Sequence, residues 1–286
     1  MDCANTRNFT HGELSADTDW QEGLAGVNAV IHLAARVHVM QDTASDPLAE
    51  FRRVNVEASL RLARQAAQAG VRRFVYLSSI KVNGESTPKG HPFTADTPPD
   101  PKDAYGISKL EAERALRELA ATSGMEVVVI RPPLVYGPGV KANFRSMMKW
   151  LDRGVPLPLG AIHNRRSLVA LDNLVDLLVT CVHHPAAANQ TFLVSDGNDL
   201  STTELLRKLG SALGKPTRLL PVPARLLEVV GALVGKRSVV QRVCGSLQVD
   251  VSKARNLLGW TPPISVEEGL RRVATAFLNT SLPAVR

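Results

Sequence analysis

The chain is poor in cysteine, and it contains neither a signal-peptide core nor a long apolar run. Only three of its 286 residues are cysteines, and Cys3, Cys181 and Cys244 lie at no spacing typical of metal ligands. This indicates a reducing compartment without a disulfide framework. The longest apolar stretch, 226–234, contains Glu228 and is too short to span a bilayer. We therefore expect a soluble, cytoplasmic protein with no bound metal and no membrane partner.

Aromatic residues are also scarce, at 5%, while basic residues outnumber acidic ones by 34 to 27, for a net charge of +7. Nucleic-acid-binding surfaces combine clustered Lys and Arg with aromatic side chains. Here the basic residues are dispersed, and pairs such as Arg165 and Arg166 fit a small anionic ligand better. We predict a small-molecule substrate and no nucleic-acid partner.

Three apolar runs predict buried strands, at residues 29–35, 74–79 and 127–133. Runs without polar alternation are typical of parallel sheets that are covered on both faces. In such sheets ligands bind at the carboxyl ends of the strands, where Ser79 and Arg131 would emerge. Further elements are expected as a helix from Asp46-Pro47 to Gly70, a strand at 190–194, a capped helix from Ser201 to Gly214 and a helix from Ala224.

Tyr105 and Lys109 lie four residues apart, which places both side chains on one face of a helix. A phenol with its ordinary pKa of about 10 is a poor base at neutral pH. A neighbouring ammonium favours the phenolate and brings that pKa toward a range useful for proton transfer. The spacing therefore indicates an acid–base pair.

The combination of motifs resembles the extended short-chain dehydrogenase/reductase family, which includes nucleotide-sugar epimerases, dehydratases and reductases. The matching pieces are His32-Leu33-Ala34-Ala35, Asn55, Ser78-Ser79 with Val82 and Gly84, Tyr105 with Lys109, Arg131 with Tyr136-Gly137-Pro138-Gly139, Arg166-Ser167-Leu168-Val169 with Asp172, Ser252-Lys253-Ala254, Leu258-Gly259-Trp260 and Glu268-Gly269-Leu270. They follow the family's order and spacing over nearly the whole chain. The resemblance implies an α/β fold, namely a Rossmann-like doubly wound parallel sheet, N-terminally truncated, with a smaller C-terminal α/β substrate lobe.

The domain boundaries follow from the same resemblance. Residues 1–138, joined by 165–196, are expected to form the dinucleotide-binding domain, and 139–164 with 197–286 mainly the substrate lobe. A homodimer through the helices that begin near Asp46 and Asp103 would be typical of the family.

One expected part is absent from the sequence. The family opens with a strand and a Gly-rich turn that approaches the cofactor pyrophosphate, and no G-x-x-G-x-x-G occurs here. By this comparison residues 9–14 end the family's third strand, and about forty residues are missing, including the one that separates NAD from NADP. We expect NAD or NADP as the cofactor, and no tight dinucleotide binding by the chain as given.

The resemblance also assigns the site residues. Tyr105 exchanges a proton with the sugar oxygen, Ser79 hydrogen-bonds that oxygen, and Lys109 lowers the pKa of Tyr105 and holds the nicotinamide ribose. The catalytic residues are thus expected to be Ser79, Tyr105 and Lys109. The cofactor-binding residues are expected to be Leu33, Ala34, Ala35, Asn55, Ser78, Tyr105, Lys109 and Pro132, and the residues that bind the nucleotide-sugar substrate Ser79, Arg131, Asn143, Arg166 and Arg242.

A dehydratase carries an Asp-Glu pair directly after the active-site Ser or Thr, and this chain has Ile80-Lys81 there. Dehydration would lack its carboxylates, which leaves a C4 epimerase or a C4 reductase. Residues 79–85 resemble a bacterial surface-polysaccharide (O-antigen) branch that acts on UDP-N-acetyl-6-deoxyhexosamines. Because Ile80 and Lys81 are bulky and would restrict rotation of the sugar, we lean toward a 4-reductase over a 4-epimerase.

Two other classes stay open. A degenerate, inactive relative with a binding or regulatory role is favoured by the absent Gly-rich turn and opposed by the intact Ser79, Tyr105 and Lys109. A serine hydrolase that pairs Ser79 with His32 or His38 would lack the G-x-S-x-G elbow.

Overall fold

The computed structural model describes residues 8–10, 12–37, 46–88 and 90–281. Its strands are β1 (Ala29–His32), β2 (Arg73–Leu77), β3 (Glu126–Arg131), β4 (Leu134–Tyr136), β5 (Leu168–Ala170) and β6 (Thr191–Leu193). Its α-helices are α1 (Gln21–Leu24), α2 (Pro47–Arg52), α3 (Ser59–Gln68), α4 (Ala104–Ser123), α5 (Ala142–Asp152), α6 (Leu171–His183), α7 (Thr202–Ala212), α8 (Ala224–Leu233), α9 (Arg237–Cys244), α10 (Ser252–Leu258) and α11 (Val266–Ser281).

A four-stranded sheet has the order β1-β2-β3-β6. Strand β2 pairs in parallel with β1 on one side and with β3 on the other, so that Val75 lies between Ile31 and Val128. Strands β2 and β3 are almost entirely buried, as their continuous apolar sequences require. The predicted α/β class and the three predicted strands are confirmed, although each strand ends a few residues earlier than expected.

One long helical segment leads from β1 to β2. The Asp46 side chain caps it by accepting a hydrogen bond from the Ala49 N–H at 3.0 Å. The segment continues through a π-helical stretch, Arg53–Ala58, and ends at Gln68. Gly70 then adopts a φ of +79°, a left-handed conformation that favours glycine. The predicted helix is confirmed, and its π-helical stretch was not predicted.

By its internal contacts the chain divides into two compact units. The first comprises the described residues up to Asn83, then Pro99–Arg131 and Cys181–Thr191, and the second comprises Gly84–Pro98, Pro132–Thr180 and the described residues from Phe192 on. The predicted boundaries had assigned 84–98, 132–138, 165–180 and 192–196 to the first domain. These segments group with the second unit because their backbone pairs there. Phe93 donates to the Gln248 carbonyl, and β5 pairs with β4.

Each unit has its own apolar core. In the first, alternate residues of β2 and β3 pack on apolar residues of α3 and α4, including Phe74, Tyr76, Val127, Val129, Leu62, Ala66, Ala112 and Leu116. In the second, Tyr136 of β4 packs with apolar residues of α5, α7 and α11, including Phe144, Met148, Leu206, Leu209, Leu270 and Val273. The capping box at Ser201 and the strand at 191–193 confirm two further predictions.

The expected strand end at residues 9–14 is not observed within the described ranges, and three residues considered above lie outside them. The described residues of 9–14 form no strand, and His11, like Cys3 and His38, lies outside the described residues. No helix within the described ranges is long and apolar enough to cross a membrane.

Candidate active site

The carboxyl ends of β2 and β3 carry the first group of polar side chains. Ser78 and Ser79 follow β2, Arg131 ends β3, and the Ser78 N–H donates to the Ile130 carbonyl at 2.7 Å. Ser79 is half-buried, and its Oγ accepts a 3.3 Å hydrogen bond from the Lys81 N–H. Because parallel strands end at one edge of a sheet, Ser79 is presented at the edge where ligands bind in such folds.

Helix α4 begins against the loop that carries Ser79. Its N-cap is Asp103, whose Oδ1 accepts from the Gly106 N–H at 2.7 Å and whose carboxylate also pairs with the Lys81 ammonium. Gly106 is the point of closest approach, because a Cβ there would lie only 2.8 Å from the Lys81 carbonyl oxygen. The first turn of α4 therefore rests on the 80–82 turn directly after Ser79.

This packing brings Tyr105 and Ser79 together. Hydrogen bonding by Ser79 lowers the pKa of Tyr105, but burial has the larger, opposite effect, and Asp103 adds to it. The net result is a pKa of Tyr105 above its ordinary value. The sequence had predicted a pKa lowered by Lys109. The difference arises because desolvation of the phenolate outweighs the favourable contact.

Lys109 lies one helical turn below Tyr105 and is 1% exposed. Its ammonium stands 4.3 Å from the centroid of the Tyr76 ring, a cation–π contact. Burial lowers the pKa of Lys109 to about 7, and the Glu113 carboxylate acts in the opposite direction. No hydrogen-bond acceptor for this ammonium lies among the described residues.

Glu113 continues the stripe formed by Tyr105 and Lys109 and is completely buried. It accepts two hydrogen bonds from Arg131, at 2.9 Å from Nε and 2.6 Å from Nη2, and one from Ser78 Oγ at 2.6 Å. The carboxylate thus ties α4 to the ends of both β2 and β3. Sequence reasoning did not select Glu113, although its position four residues after Lys109 was a usable signal.

Arg131 was expected to bind substrate, and its environment does not support that role. The side chain is buried, two of its nitrogens bind Glu113, and Nη1 donates to Asn83 Oδ1 at 3.1 Å. A guanidinium enclosed by these partners links the end of β3 to α4 and to Asn83, and its charge is already balanced by a buried carboxylate.

Asn55 lies in the π-helical stretch and is fully buried. Its side chain accepts from the Arg36 N–H at 2.8 Å and donates to the Arg36 carbonyl at 3.1 Å and to Ser108 Oγ at 3.0 Å. Ser108 in turn donates to the Tyr105 carbonyl at 2.8 Å. Asn55 therefore connects the segment after β1 with the turn of α4 that carries Tyr105.

His32 does not face Ser79 as a hydrolase would require. Its Nε2 lies 2.8 Å from Ser59 Oγ, and burial, with a contribution from Lys109, lowers the pKa of His32 to about 4. The imidazole is therefore neutral at physiological pH, and it is held by a serine on α3.

The remaining predicted residues fall at several places. In the first unit, Leu33 and Ala34 are exposed after β1 and Ala35 is half-buried. In the second unit, Pro132 is buried, Asn143 on α5 and Arg242 on α9 are exposed, and Arg166 Nη1 donates to the Arg242 and Gly245 carbonyls at 2.8 and 3.1 Å. Within the described ranges, no cluster of side chains could hold a metal ion.

Comparison with known proteins finds relatives both by sequence and by structure. The profile of the NAD dependent epimerase/dehydratase family matches residues 2–195. A UDP-glucose 4-epimerase of Vibrio cholerae is 52% identical over 274 residues, covering 96% of this chain and 84% of that protein. The solved UDP-glucose 4-epimerase of Thermotoga maritima with UDP-glucose has a TM-score of 0.69 at 25% identity, covering 88% of this chain and 78% of that one. RMD of Pseudomonas aeruginosa, complexed with NADPH, has a TM-score of 0.72 at 22% identity, covering 90% and 86%.

Proposed function

The chain belongs to the NAD dependent epimerase/dehydratase family, and from this premise we propose that it is a nucleotide-sugar C4 epimerase with Tyr105 as its acid–base residue. The observation that carries the proposal is that Tyr105 and Ser79 lie next to each other where α4 packs on the 80–82 turn, with Lys109 one turn further along the same face of α4. This arrangement can hold a hydroxyl or ketone oxygen between two hydroxyl groups and move a proton to or from it.

The protonation states define what each residue does. Because its pKa is raised, Tyr105 carries its proton at neutral pH and can donate it to a ketone oxygen. To accept a proton from a hydroxyl it needs a positive charge nearby, which Lys109 provides in its protonated form. With a pKa of about 7, Lys109 changes its charge within the neutral range. Ser79 keeps the reacting oxygen in line with Tyr105.

The residues of the first unit fit a nicotinamide cofactor. The Lys109 ammonium, which has no hydrogen-bond acceptor among the described residues, suits ribose hydroxyls, and the exposed Leu33 and Ala34 leave the end of β1 accessible to a dinucleotide. When bound, NAD or NADP would supply a hydride acceptor and donor at the sugar C4. We propose that Leu33, Ala34, Ala35, Asn55, Ser78, Tyr105 and Lys109 of this unit contribute to holding it, and that Pro132 of the second unit does so as well.

For the nucleotide-sugar substrate we propose Ser79 at the sugar and Asn143, Arg166 and Arg242 at the diphosphate. Planar guanidinium groups suit such a diphosphate. The two backbone hydrogen bonds of Arg166 leave its remaining N–H groups for that purpose. The resemblance of residues 79–85 to a surface-polysaccharide branch supports a role in supplying activated sugars for such polymers.

We prefer an epimerase over a 4-reductase. The reductase was favoured only because Ile80 and Lys81 were expected to restrict rotation of the sugar, and their positions give that argument little weight. Ile80 is 5% exposed, and the half-buried Lys81 is held by its ion pair with Asp103, so both side chains have fixed positions. The Vibrio cholerae relative adds support in the same direction.

The test is an assay of the full chain with UDP-glucose plus excess NAD and, separately, with a UDP-4-keto-6-deoxy-N-acetylhexosamine plus NADPH. The proposal expects interconversion of C4 epimers with no net consumption of reduced cofactor, loss of this activity in Ser79→Ala, and near-normal activity in Ser86→Ala, an exposed serine. Stoichiometric NADPH oxidation would establish the reductase instead. Absence of turnover with every nucleotide sugar would favour the inactive relative.

A further inference from the structure

Helix α8 turns an apolar face to the outside of the second unit. Leu226, Val229, Val230 and Leu233 recur at positions i, i+3, i+4 and i+7, which places them on one side of the helix. They are between 48% and 81% exposed, with Leu233 the most exposed. We call these four residues the α8 apolar face. Single exposed apolar residues are common, but a contiguous row of them marks an interaction site.

The opposite side of α8 is already closed. Gly231 is buried against α9, where a Cβ at this position would lie 2.4 Å from Val240 Cγ2. The Lys236 N–H donates to the Gly231 carbonyl at 2.7 Å, and Gly235, with a φ of +68°, turns the chain between the two helices. The two helices thus form a packed hairpin. Within the part of the chain that the structure describes, the α8 apolar face is exposed to solvent.

Basic residues border this face. Residues 215–245 contain six Lys or Arg and one acidic residue, Glu228. At about 100° per residue, Arg225 lies roughly 90° from the middle of the α8 apolar face, whereas Glu228 lies roughly 150° away. Lys236 and Arg237 follow directly in the exposed turn. Glu228 is therefore on the packed side of α8, whereas Arg225 lies at the rim of the apolar face and Lys236 and Arg237 lie beyond its C-terminal end.

We infer that the α8 apolar face is a peripheral docking surface for an anionic lipid bilayer. Interfacial helices bury an apolar face at the boundary between headgroups and acyl chains while Lys and Arg contact anionic headgroups. A second copy of the chain fits less well, because a two-fold contact would bring the same positive rims together. Such docking needs no spanning segment, and it departs from the expectation of no membrane partner.

The experiment is vesicle co-sedimentation of the full chain with phosphatidylglycerol-containing vesicles and with pure phosphatidylcholine vesicles. We expect binding to the anionic vesicles that weakens with salt. Replacing Arg225, Lys236 and Arg237 by Gln should lower the partition coefficient on the order of a hundredfold, at about 1 kcal/mol per charge. Val229→Ser with Leu233→Ser should lower it at least tenfold.

The matched control is Val175→Ser with Val179→Ser on α6, two valines of 47% and 46% exposure that lie beside Asp172 and Asp176. This variant should bind vesicles like the wild type, and circular dichroism verifies that all variants are folded. Absence of binding to anionic vesicles, or equal binding by all variants, would overturn the inference. So would a dimer in solution that Val229→Ser with Leu233→Ser dissociates while vesicle binding is absent.

Discussion

Replacing Glu113 by Gln should strongly destabilise the first unit. The carboxylate is completely buried and balances Arg131, which is itself 2% exposed, through two hydrogen bonds. Removing one partner of a buried ion pair leaves the other charge uncompensated and costs roughly 3–5 kcal/mol. Because whole domains are stable by only about 5–15 kcal/mol, the loss is a large fraction of the total. Urea unfolding followed by fluorescence and circular dichroism measures it.

Helix α4 offers a matched control two residues away. Glu111 also accepts two hydrogen bonds from one arginine, Arg52, at 2.8 and 2.6 Å, but this pair is exposed to solvent. Glu111→Gln should therefore cost less than about 1 kcal/mol. The double variant Glu113→Leu with Arg131→Met removes both charges and should recover much of the stability lost in Glu113→Gln. Equal effects of Glu113→Gln and Glu111→Gln would refute the reasoning.

Three further predictions concern the same helix and its neighbours. Tyr105→Phe should keep the fold and lower turnover by roughly 10²–10⁴, the range for a positioned proton transfer, and near-normal turnover would remove Tyr105 from the mechanism. Since the pKa of Lys109 is about 7 in the folded state against 10.5 as its ordinary value, the unfolded chain binds the extra proton, and wild-type stability should rise between about pH 7 and pH 10.5. Lys109→Met should be more stable than the wild type at pH 6.5, and the difference in stability should be smaller at pH 9.5. A difference in urea midpoint between variant and wild type that is the same at both pH values would contradict this. Asn55→Ala should lose roughly 1–3 kcal/mol because it removes the two hydrogen bonds to the Arg36 backbone and the one to Ser108, measured by urea unfolding against the exposed control Asn256→Ala.

The parts of the fold that could be predicted are those that depend on residues close together in the sequence. Continuous apolar runs indicated β1, β2 and β3, and Asp46 and Ser201 marked helix starts, because a strand in a parallel sheet and a capped helix each require particular residues at short range. Tyr105 and Lys109 were found for the same reason.

What the sequence did not reveal depends on partners that are distant along the chain. Arg131 and Glu113 are 18 residues apart, and only the fold brings them into contact. The fate of Arg131 could not be inferred from its own neighbours. The pKa of Tyr105 was predicted in the wrong direction for a similar reason, because burial is a property of the assembled core.

Gly106 has a consequence for how the site could be varied. With the Lys81 carbonyl only 2.8 Å from the position of a Cβ, even a methyl group at 106 would force the first turn of α4 outward. Tyr105 would move with that turn, while Ser79 on the opposite side of the contact would stay. The distance between the Tyr105 and Ser79 hydroxyls therefore depends on the absence of a side chain at Gly106, a residue that takes no part in proton transfer. Gly106→Ala would change that spacing while leaving both reactive groups chemically intact, and so would separate the contribution of distance from that of acidity.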